Sequence, residues 1–390
     1  MHLTNDEERI LKGEEGWARQ KAMEILVAIG DIHHASHLIP IKSAHISGAS
    51  YKTIGDAFEF IKSLEGARVQ VKSTLNPTGV DRRIWQSLNV SETFVAKQRE
   101  VVHAYRCLGI DVECTCIPYH VGNRPQEGEH IAWAESSAVL YANSALGART
   151  NMEGAPSALA AALIGKTPEY GLHLTENREP ELRVCVQCAL RDADYSALGF
   201  ILGELVGNKI PLIELLPASQ PTADELKHLS AAIGATGSVG LYHIAGLTPD
   251  SEYFGHPAEK LELDRSDIES VHRARCEGDV IAIGCPHCSA TELQQIHEFL
   301  RTESKGRTVR KEFFVFTARA VKERMQDVVR KIEAYGVKVI CDTCFVVSPA
   351  FEQYRCVITN SGKMLRYVPL LCGGAAVQLC TTEQCVQQAF

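Results

Sequence analysis

Three pairs of cysteines in this sequence have the C-x-x-C spacing that often marks metal or redox chemistry: Cys185/Cys188, Cys285/Cys288 and Cys341/Cys344. A structural zinc ribbon would place its two pairs roughly 15–20 residues apart, whereas about 50 residues separate Cys288 from Cys341. A redox dithiol needs its pair at the start of a helix, and only Cys285/Cys288 comes near that arrangement. A third arrangement takes one cysteine from each of three segments and holds an iron–sulfur cluster. Spacing alone leaves these alternatives open.

Four residues with useful chemistry lie at, or just beyond, the carboxyl ends of predicted strands. They are Asn76, Cys116, Cys285 and Cys344, and the strands are predicted within 67–76, 110–116, 278–285 and 337–344. Because open α/β sheets bind ligands at this edge, the coincidence indicates one shared site.

The elements that must position these residues alternate between strands and helices, a pattern typical of parallel sheets with crossover helices. Ser289 and Glu292 form a capping box, which predicts a helix beginning just after Cys288. "EFFVFT" (312–317), a helical stretch over 318–336 and "VKVICDTC" (337–344) predict one βαβ unit. We expect one α/β region over 1–245 and another over 268–390. The polar stretch 246–267 is a candidate domain boundary or lid.

Composition narrows the class of protein. The 390 residues are 45% hydrophobic and carry a net charge of −8 without a basic block, which argues against nucleic acid and acidic membrane surfaces as partners. The acidic N-terminus is unlike a signal peptide, and charged residues interrupt the longest apolar run, within 199–216. We therefore expect a soluble cytoplasmic protein, with a small anionic substrate still allowed if positive groups gather locally.

More specific motifs decide between the arrangements of the cysteines. The stretches are "SAHISGASYKTIGD" (43–56), "STLNPTGVD" (73–81), "PYHVGNRPQEGEHIAWAESSAVLYANSALGARTNMEG" (118–154), "DTCFVVSP" (342–349) and "NSGKMLRY" (360–367). Together they closely resemble the aconitase X family, a divergent branch of the aconitase superfamily, and the resemblance runs along essentially the whole chain. It implies an aconitase-like large subunit, with parallel-sheet α/β units around an iron–sulfur cluster.

The resemblance implies a 4Fe-4S cluster, isolated in some preparations as 3Fe-4S, held by three cysteines that map onto Cys116, Cys285 and Cys344. The iron without a cysteine would act as a Lewis acid on a substrate hydroxyl. Three neighbouring cysteines are extra and are expected to be packing residues: Cys114, Cys288 and Cys341.

The family's substrate contacts map onto eight residues: Gly48, Ala49, Ser50, Asn76, Pro77, Glu135, Ser136 and Lys363. Simpler interpretations stand beside some of them. Ser50 could cap the following helix, and Lys363 without the resemblance would be a solvated surface lysine. His33, His34 and His37 have no role in the family and are interpreted as helix-end or interface residues.

Members of the family remove water from hydroxylated carboxylates, either cis-3-hydroxy-L-proline or (R)-mevalonate 5-phosphate. The first activity is associated with chains that include a small swivelling domain, and the second with separate large and small subunits. The sequence contains no swivel domain, so we expect a heterodimer acting on the phosphorylated substrate in isoprenoid biosynthesis. The general base is expected on the small subunit, and no catalytic residue is assigned here. The alternatives are a cis-3-hydroxy-L-proline dehydratase and a zinc-stabilised α/β binding protein.

Overall fold

The computed structural model describes residues 1–272 and 277–390, and it confirms the predicted α/β class. Within these residues three sheets are entirely parallel and a two-stranded fourth is antiparallel. No helix in this part of the chain is both long and apolar enough to cross a membrane.

The strands are numbered in chain order, and most of them are short. They are β1 Leu38–Pro40, β2 Ser43–Ile46, β3 Lys72–Leu75, β4 Ala132–Trp133, β5 Lys166–Pro168, β6 Leu182–Val186, β7 Pro211–Glu214, β8 His243–Ile244, β9 Lys260–Leu263, β10 Val280–Cys288, β11 Glu312–Thr317, β12 Lys338–Ile340, β13 Cys356–Thr359 and β14 Ala376–Leu379.

The α-helices of the described residues are numbered in the same way. They are α1 Asn5–Leu11, α2 Trp17–Ile32, α3 Tyr51–Ile54, α4 Phe58–Ser63, α5 Glu92–Cys107, α6 Ser136–Leu140, α7 Ala155–Ile164, α8 Asp194–Leu205, α9 Ala223–Thr236, α10 Arg265–His272, α11 Ala290–Ser304, α12 Arg319–Arg324, α13 Gln326–Ala334, α14 Gly362–Leu371 and α15 Thr382–Gln387.

Two parallel sheets supply most of the site. The first has the order β3-β2-β4, and the second has the order β12-β11-β10-β13-β14. The third parallel sheet, β8-β7-β6-β9, includes β9, which lies inside the stretch 246–267 and pairs with β6. The apolar residues of β10 and β11 are fully buried between helices, as expected of a central parallel strand.

The predicted βαβ unit over 312–344 is confirmed, with its helix divided at Met325 into α12 and α13. The capping box at Ser289 is also confirmed. Its hydroxyl accepts a hydrogen bond from the N–H of Glu292, whose carboxylate accepts one from the N–H of Ser289. This cap begins α11 immediately after β10 and so fixes the chain on the far side of Cys288.

The strand predicted within 110–116 is wrong. This segment forms only an isolated bridge between Asp111 and Thr74, and the N–H of Thr115 then donates to the carbonyl of Leu75. Cys114 has a positive φ of 48°, which interrupts any extended ladder. The segment therefore runs beside β3 as irregular backbone and carries Cys116 to the same edge by another route.

The carboxyl end of β10 departs from regular pairing just where Cys285 lies. The register with β11 shifts between Ile283 and Cys288. Gly284 has a φ of 109°, and a Cβ there would collide with the carbonyl oxygen of Phe316 on β11. Only glycine fits this close approach, which turns the following cysteine towards the sheet edge.

Candidate active site

One cavity of about 250 Å³ lies at the carboxyl ends of the parallel strands. It is lined by Asn76, Pro77, Cys116, Ala134, Glu135, Ser136, Cys285, Cys344, Val346, Val347, Lys363, Tyr367 and Leu371. Residues after β3 and β4 face residues from β10 and from the segments after β12 and β13. The position is the edge at which open α/β sheets bind ligands.

Three thiols from separate segments line this cavity. Cys285 lies near the end of β10, Cys344 follows β12, and Cys116 ends the irregular segment beside β3. All three are buried, and burial raises the pKa of Cys285 to about 12 and the pKa values of Cys116 and Cys344 in the same direction. Each thiol is therefore protonated at neutral pH unless a cation replaces the proton.

Hydrogen-bond donors are already aimed at these sulfurs. The backbone N–H of His287 donates to Cys116 Sγ over 3.2 Å. The backbone N–H groups of Val347 and Val346 act on Cys344 and partly offset the rise that burial gives to its pKa. Donors of this kind stabilise a thiolate and tune the metal centres that thiolates bind.

The three thiols share the cavity without converging on one point. Among the described residues, no three His, Cys, Asp or Glu side chains form a group that could hold a single metal ion.

Glu135 and Lys363 form a buried ion pair on the wall of the cavity. The Lys363 ammonium donates to Glu135 Oε1, and Glu135 Oε2 accepts from the N–H of Ala138 over 2.8 Å and from the Ser137 hydroxyl. Burial alone would raise the pKa of Glu135, but Lys363 and these hydrogen bonds bring it below its ordinary value. Burial likewise opposes the charge on Lys363, and the attraction of Glu135 reverses this effect and raises its pKa.

The solvated-surface interpretation of Lys363 is therefore wrong, because the residue is only 9% exposed. It lies in the first turn of α14, which follows β13, and its ammonium also sits 5.6 Å from the centre of the Tyr367 ring. A cation held between a carboxylate and an aromatic face keeps its charge inside the protein.

Asn76 and Pro77 come directly after β3, and the Asn76 backbone N–H donates to the carbonyl of Ile46 on β2. The side-chain Oδ1 of Asn76 is buried and makes no hydrogen bond of normal geometry. The Asn76 amide nevertheless lies near His45, where it raises the pKa of the imidazole and partly offsets the larger lowering that burial causes. Asn76 therefore lies between His45 and the cavity that it lines, where its amide can also contact a ligand.

Gly48, Ala49 and Ser50 follow β2 but do not line the cavity. The Ser50 side chain accepts from the N–H of Lys52 and so begins α3, which confirms the capping interpretation. Its hydroxyl also donates to the carbonyl of Val347 over 2.7 Å. The loop thus contacts a residue that lines the cavity, and Gly48, with a φ of 77°, makes its tight turn.

The extra cysteines lie in packed surroundings. Cys114 Sγ donates to the carbonyl of Val112, and Cys288 and Cys341 are fully buried. Cys288 belongs to the apolar core between β10 and α11. His33 ends α2 and stacks on Tyr170, in keeping with its interpretation as a helix-end residue.

The sequence did not point to several residues that shape the cavity. Tyr367 and Leu371 are partly buried residues of α14, the helix that includes the "KMLRY" stretch. Val346 and Val347 give no chemical signal in sequence, since their role is carried by the backbone. Ser361 caps α14 and donates its hydroxyl to the carbonyl of Cys285, a contact that only the fold could show.

The fold and the cavity define the class of protein: a parallel α/β protein with three thiols and an ion pair in one cavity at the strand ends of two sheets. Models of the first, second and third domains of aconitase X match residues 1–176, 180–273 and 278–390. The chain belongs to the aconitase X family.

Relatives and solved structures agree along the whole chain. A phosphomevalonate dehydratase large subunit from Methanosarcina mazei is 51% identical over 100% of this chain and 97% of its own length. Its counterpart from Thermococcus kodakarensis is 46% identical over 100% of both. A cis-3-hydroxy-L-proline dehydratase from Pseudomonas aeruginosa is 32% identical over 98% of this chain and 69% of its own. The crystal structure of Thermococcus kodakaraensis aconitase X in its holo-form superimposes with a TM-score of 0.93 at 45% identity over 100% of both chains.

Proposed function

We propose that this chain is the large subunit of a hydro-lyase that dehydrates (R)-mevalonate 5-phosphate to trans-anhydromevalonate 5-phosphate. The observation that carries the proposal is the end-to-end similarity, at 51% and 46% identity, to relatives named phosphomevalonate dehydratase large subunits. The hydroxyproline dehydratases are more distant, at 32% identity. In the reaction a hydroxyl leaves C3 and a proton leaves C2, so the products are an alkene and water.

The residues around the cavity fit an iron–sulfur cluster. Cys116, Cys285 and Cys344 supply three thiols from three segments, and such clusters are held by cysteine thiolates that each bind a different iron. A set of thiols that share a cavity without meeting at one point suits this arrangement better than it suits a single ion. When bound, an iron without a cysteine ligand would supply a Lewis acid for the substrate hydroxyl.

The chain's own residues would bind and orient the substrate. Lys363 places a positive charge on the wall of the cavity, where a carboxylate or phosphate group can approach it. Glu135 holds that ammonium in place and is itself held by the start of α6. Asn76 and Ser136 line the same cavity and would offer an amide and a hydroxyl to the polar groups of the substrate.

Apolar side chains also line the cavity and would limit the access of water to a bound substrate. They are Val346, Val347 and Leu371. Excluding water strengthens the attraction between Lys363 and an anionic substrate, because the effective dielectric constant falls.

The proton-abstracting group belongs on a partner in this proposal. The relatives are named large subunits, which implies a second chain, and we propose a small swivel-domain subunit that closes over the cavity. The active heterodimer would then combine the thiols and Lys363 of this chain with a base from the other.

The test is to purify the chain anaerobically, alone and together with its small subunit, and to assay both candidate substrates. We expect iron and acid-labile sulfide in both preparations. Turnover of mevalonate 5-phosphate should require the small subunit. A complex that prefers cis-3-hydroxy-L-proline would replace the proposed substrate with the alternative, and a colourless complex without iron or sulfide would refute the dehydratase proposal itself.

A further inference from the structure

His287 lies between Cys285 and Cys288 on the last residues of β10, and its side chain is fully buried. The thiols of the site come from three segments that the sheets do not tie directly to one another. In the five-stranded sheet, β10 and the strand before Cys344, β12, both pair with β11 rather than with each other. Cys116 comes from the irregular segment beside β3, in a different sheet. Contacts outside the regular strand pairing must therefore help to set the distances between these segments, as the isolated bridge between Thr78 and Thr343 does.

The imidazole of His287 makes two such contacts, one to each of the other two segments. Its Nδ1 lies 2.9 Å from the hydroxyl of Thr115, the residue before Cys116. Its Nε2 lies 2.8 Å from the carbonyl oxygen of Thr343, the residue before Cys344. One ring on the segment of Cys285 thus reaches the neighbours of both other thiols.

The partners define which nitrogen carries the proton. A carbonyl oxygen can only accept, so Nε2 must donate to Thr343. The Thr115 oxygen already accepts from the N–H of Ile117 over 3.3 Å, which leaves its own hydroxyl proton free for Nδ1. A neutral imidazole with its proton on Nε2 therefore satisfies both bonds at once.

The backbone of His287 is held as firmly as its ring. Its N–H donates to Cys116 Sγ over 3.2 Å, and its carbonyl accepts from the buried ammonium of Lys227 over 3.3 Å. Lys227 is in turn paired with Glu292, on the helix that begins after β10, and with Asp224 at 3.1 Å. All four polar groups of His287 have partners, and two of them reach the segment of Cys116.

We propose that His287 is a positioning residue that fixes the three cysteine-bearing segments relative to one another and thereby the geometry of the metal–thiolate site. The inference rests on the proposed function for the identity of the thiol set. Residues that orient ligands without touching the metal typically change metal affinity or activity by about 10- to 100-fold when replaced.

The chain offers graded variants and a matched control. His287→Leu removes both ring contacts. In His287→Gln the amide nitrogen can take the place of Nε2 and keep the bond to Thr343, while the bond to Thr115 is lost. Thr115→Val also removes the bond to Thr115 and keeps the bond to Thr343, and it costs in addition the longer contact from the N–H of Ile117. His243 is the control, because it is equally buried and places its Nε2 2.8 Å from the carbonyl of Arg178, away from the thiols.

The first readout is the rate at which maleimide modifies each thiol in cluster-free protein, measured by mass spectrometry after digestion. Cys385, fully buried on α15, serves as the internal reference. We expect His287→Leu to raise the rates at Cys116 and Cys344 by at least about tenfold relative to Cys385. His287→Gln and Thr115→Val should raise the rate at Cys116 alone. His243→Leu should lower the melting temperature without changing this pattern.

Unchanged relative rates in His287→Leu, or the same increase in His243→Leu, would refute the inference, because the ring would then contribute only general stability. The second readout is the rate at which a chelator removes iron from anaerobically purified protein, which should rise about 10-fold or more in His287→Leu and less in His287→Gln. Wild-type protein without iron would remove the proposed function, while the alkylation pattern would still decide whether His287 positions the three segments.

Discussion

The ion pair between Lys363 and Glu135 offers a sharp test of how the site is built. Lys363→Met replaces the ammonium by an apolar group of similar length and leaves the Glu135 carboxylate buried without its counterion. The two remaining donors, Ala138 and Ser137, satisfy only Oε2. Removing one partner of a buried pair typically costs about 3–5 kcal/mol of folding stability. We expect a loss in this range at pH 7.

The pH dependence of this loss has a definite sign. The folded-state pKa of Glu135 lies below its ordinary value of 4.5, so its ionised form stabilises the wild type above that pH. The benefit disappears as the pH falls through the depressed pKa. In Lys363→Met burial is no longer opposed by the ammonium, and the pKa of Glu135 rises. The stability difference between the two proteins should therefore shrink as the pH is lowered towards and below 4.5.

Urea unfolding at a series of pH values measures this difference, with the double variant Lys363→Met/Glu135→Gln included. The neutral amide should recover part of the lost stability, because no charge is left buried. Lys97→Met is the control, since its pair with Glu100 is exposed on both sides and should contribute about 0–1 kcal/mol. A Lys363→Met protein as stable as wild type at pH 7, or one whose deficit grows at low pH, would refute the reasoning.

Lys363→Met also tests substrate binding in the reconstituted complex. Loss of a charge-assisted contact of roughly 1.5–3 kcal/mol should raise KM about 10- to 100-fold. An unchanged KM would show that Lys363 does not bind the substrate. Gly284→Ala should lower the melting temperature and the iron content together, because a φ of 109° and the carbonyl of Phe316 leave no room for a Cβ. Lys227→Met should cost about 3–5 kcal/mol in urea unfolding at pH 7, since Glu292 would be buried without its ammonium, and less at acid pH, where that carboxylate can take up a proton. Single replacements by Ser should abolish the visible absorption of the cluster at Cys116, Cys285 and Cys344 and leave it largely intact at Cys288 and Cys341; loss of iron at Cys288 with retention at Cys285 would contradict the ligand assignment.

Much of the framework was predictable because it rests on local chemistry. The capping box of Ser289 and Glu292 is a contact over three residues, and the βαβ unit of 312–344 is written in the change from strand to helix periodicity. The α/β class followed from patterns of this kind, and the family followed from the resemblance of motifs such as the one around Glu135; both are confirmed. The ends of parallel strands predict a shared location for Asn76, Cys285 and Cys344, and all three line one cavity although their strands belong to two sheets.

The environment of Lys363 was not predictable from its own neighbourhood. A lysine in the first turn of a helix is usually solvated, and its partner Glu135 is more than 200 residues away in the sequence. The route of Cys116 was missed for a related reason. The apolar residues of 110–117 suggest a strand, but a positive φ at Cys114 and the hydrogen bonds to β3 are consequences of tertiary packing.

The cavity shows why such a site has to be assembled from distant segments. Cys285 and Cys288 are close in sequence, yet Cys288 faces the apolar core and Cys285 lines the cavity, because the backbone turns at Gly284 and Ser289 caps α11 directly after Cys288. A C-x-x-C pair placed this way presents one thiol to the site and one to the core. The partners of Cys285 must then come from other strand ends, where Cys344 and Cys116 each arrive through a different element. Each strand end of a parallel sheet is reached only after a crossover through another layer of the fold. The cysteines of such a site are therefore far apart in the sequence, which is also why their spacing does not match a zinc ribbon.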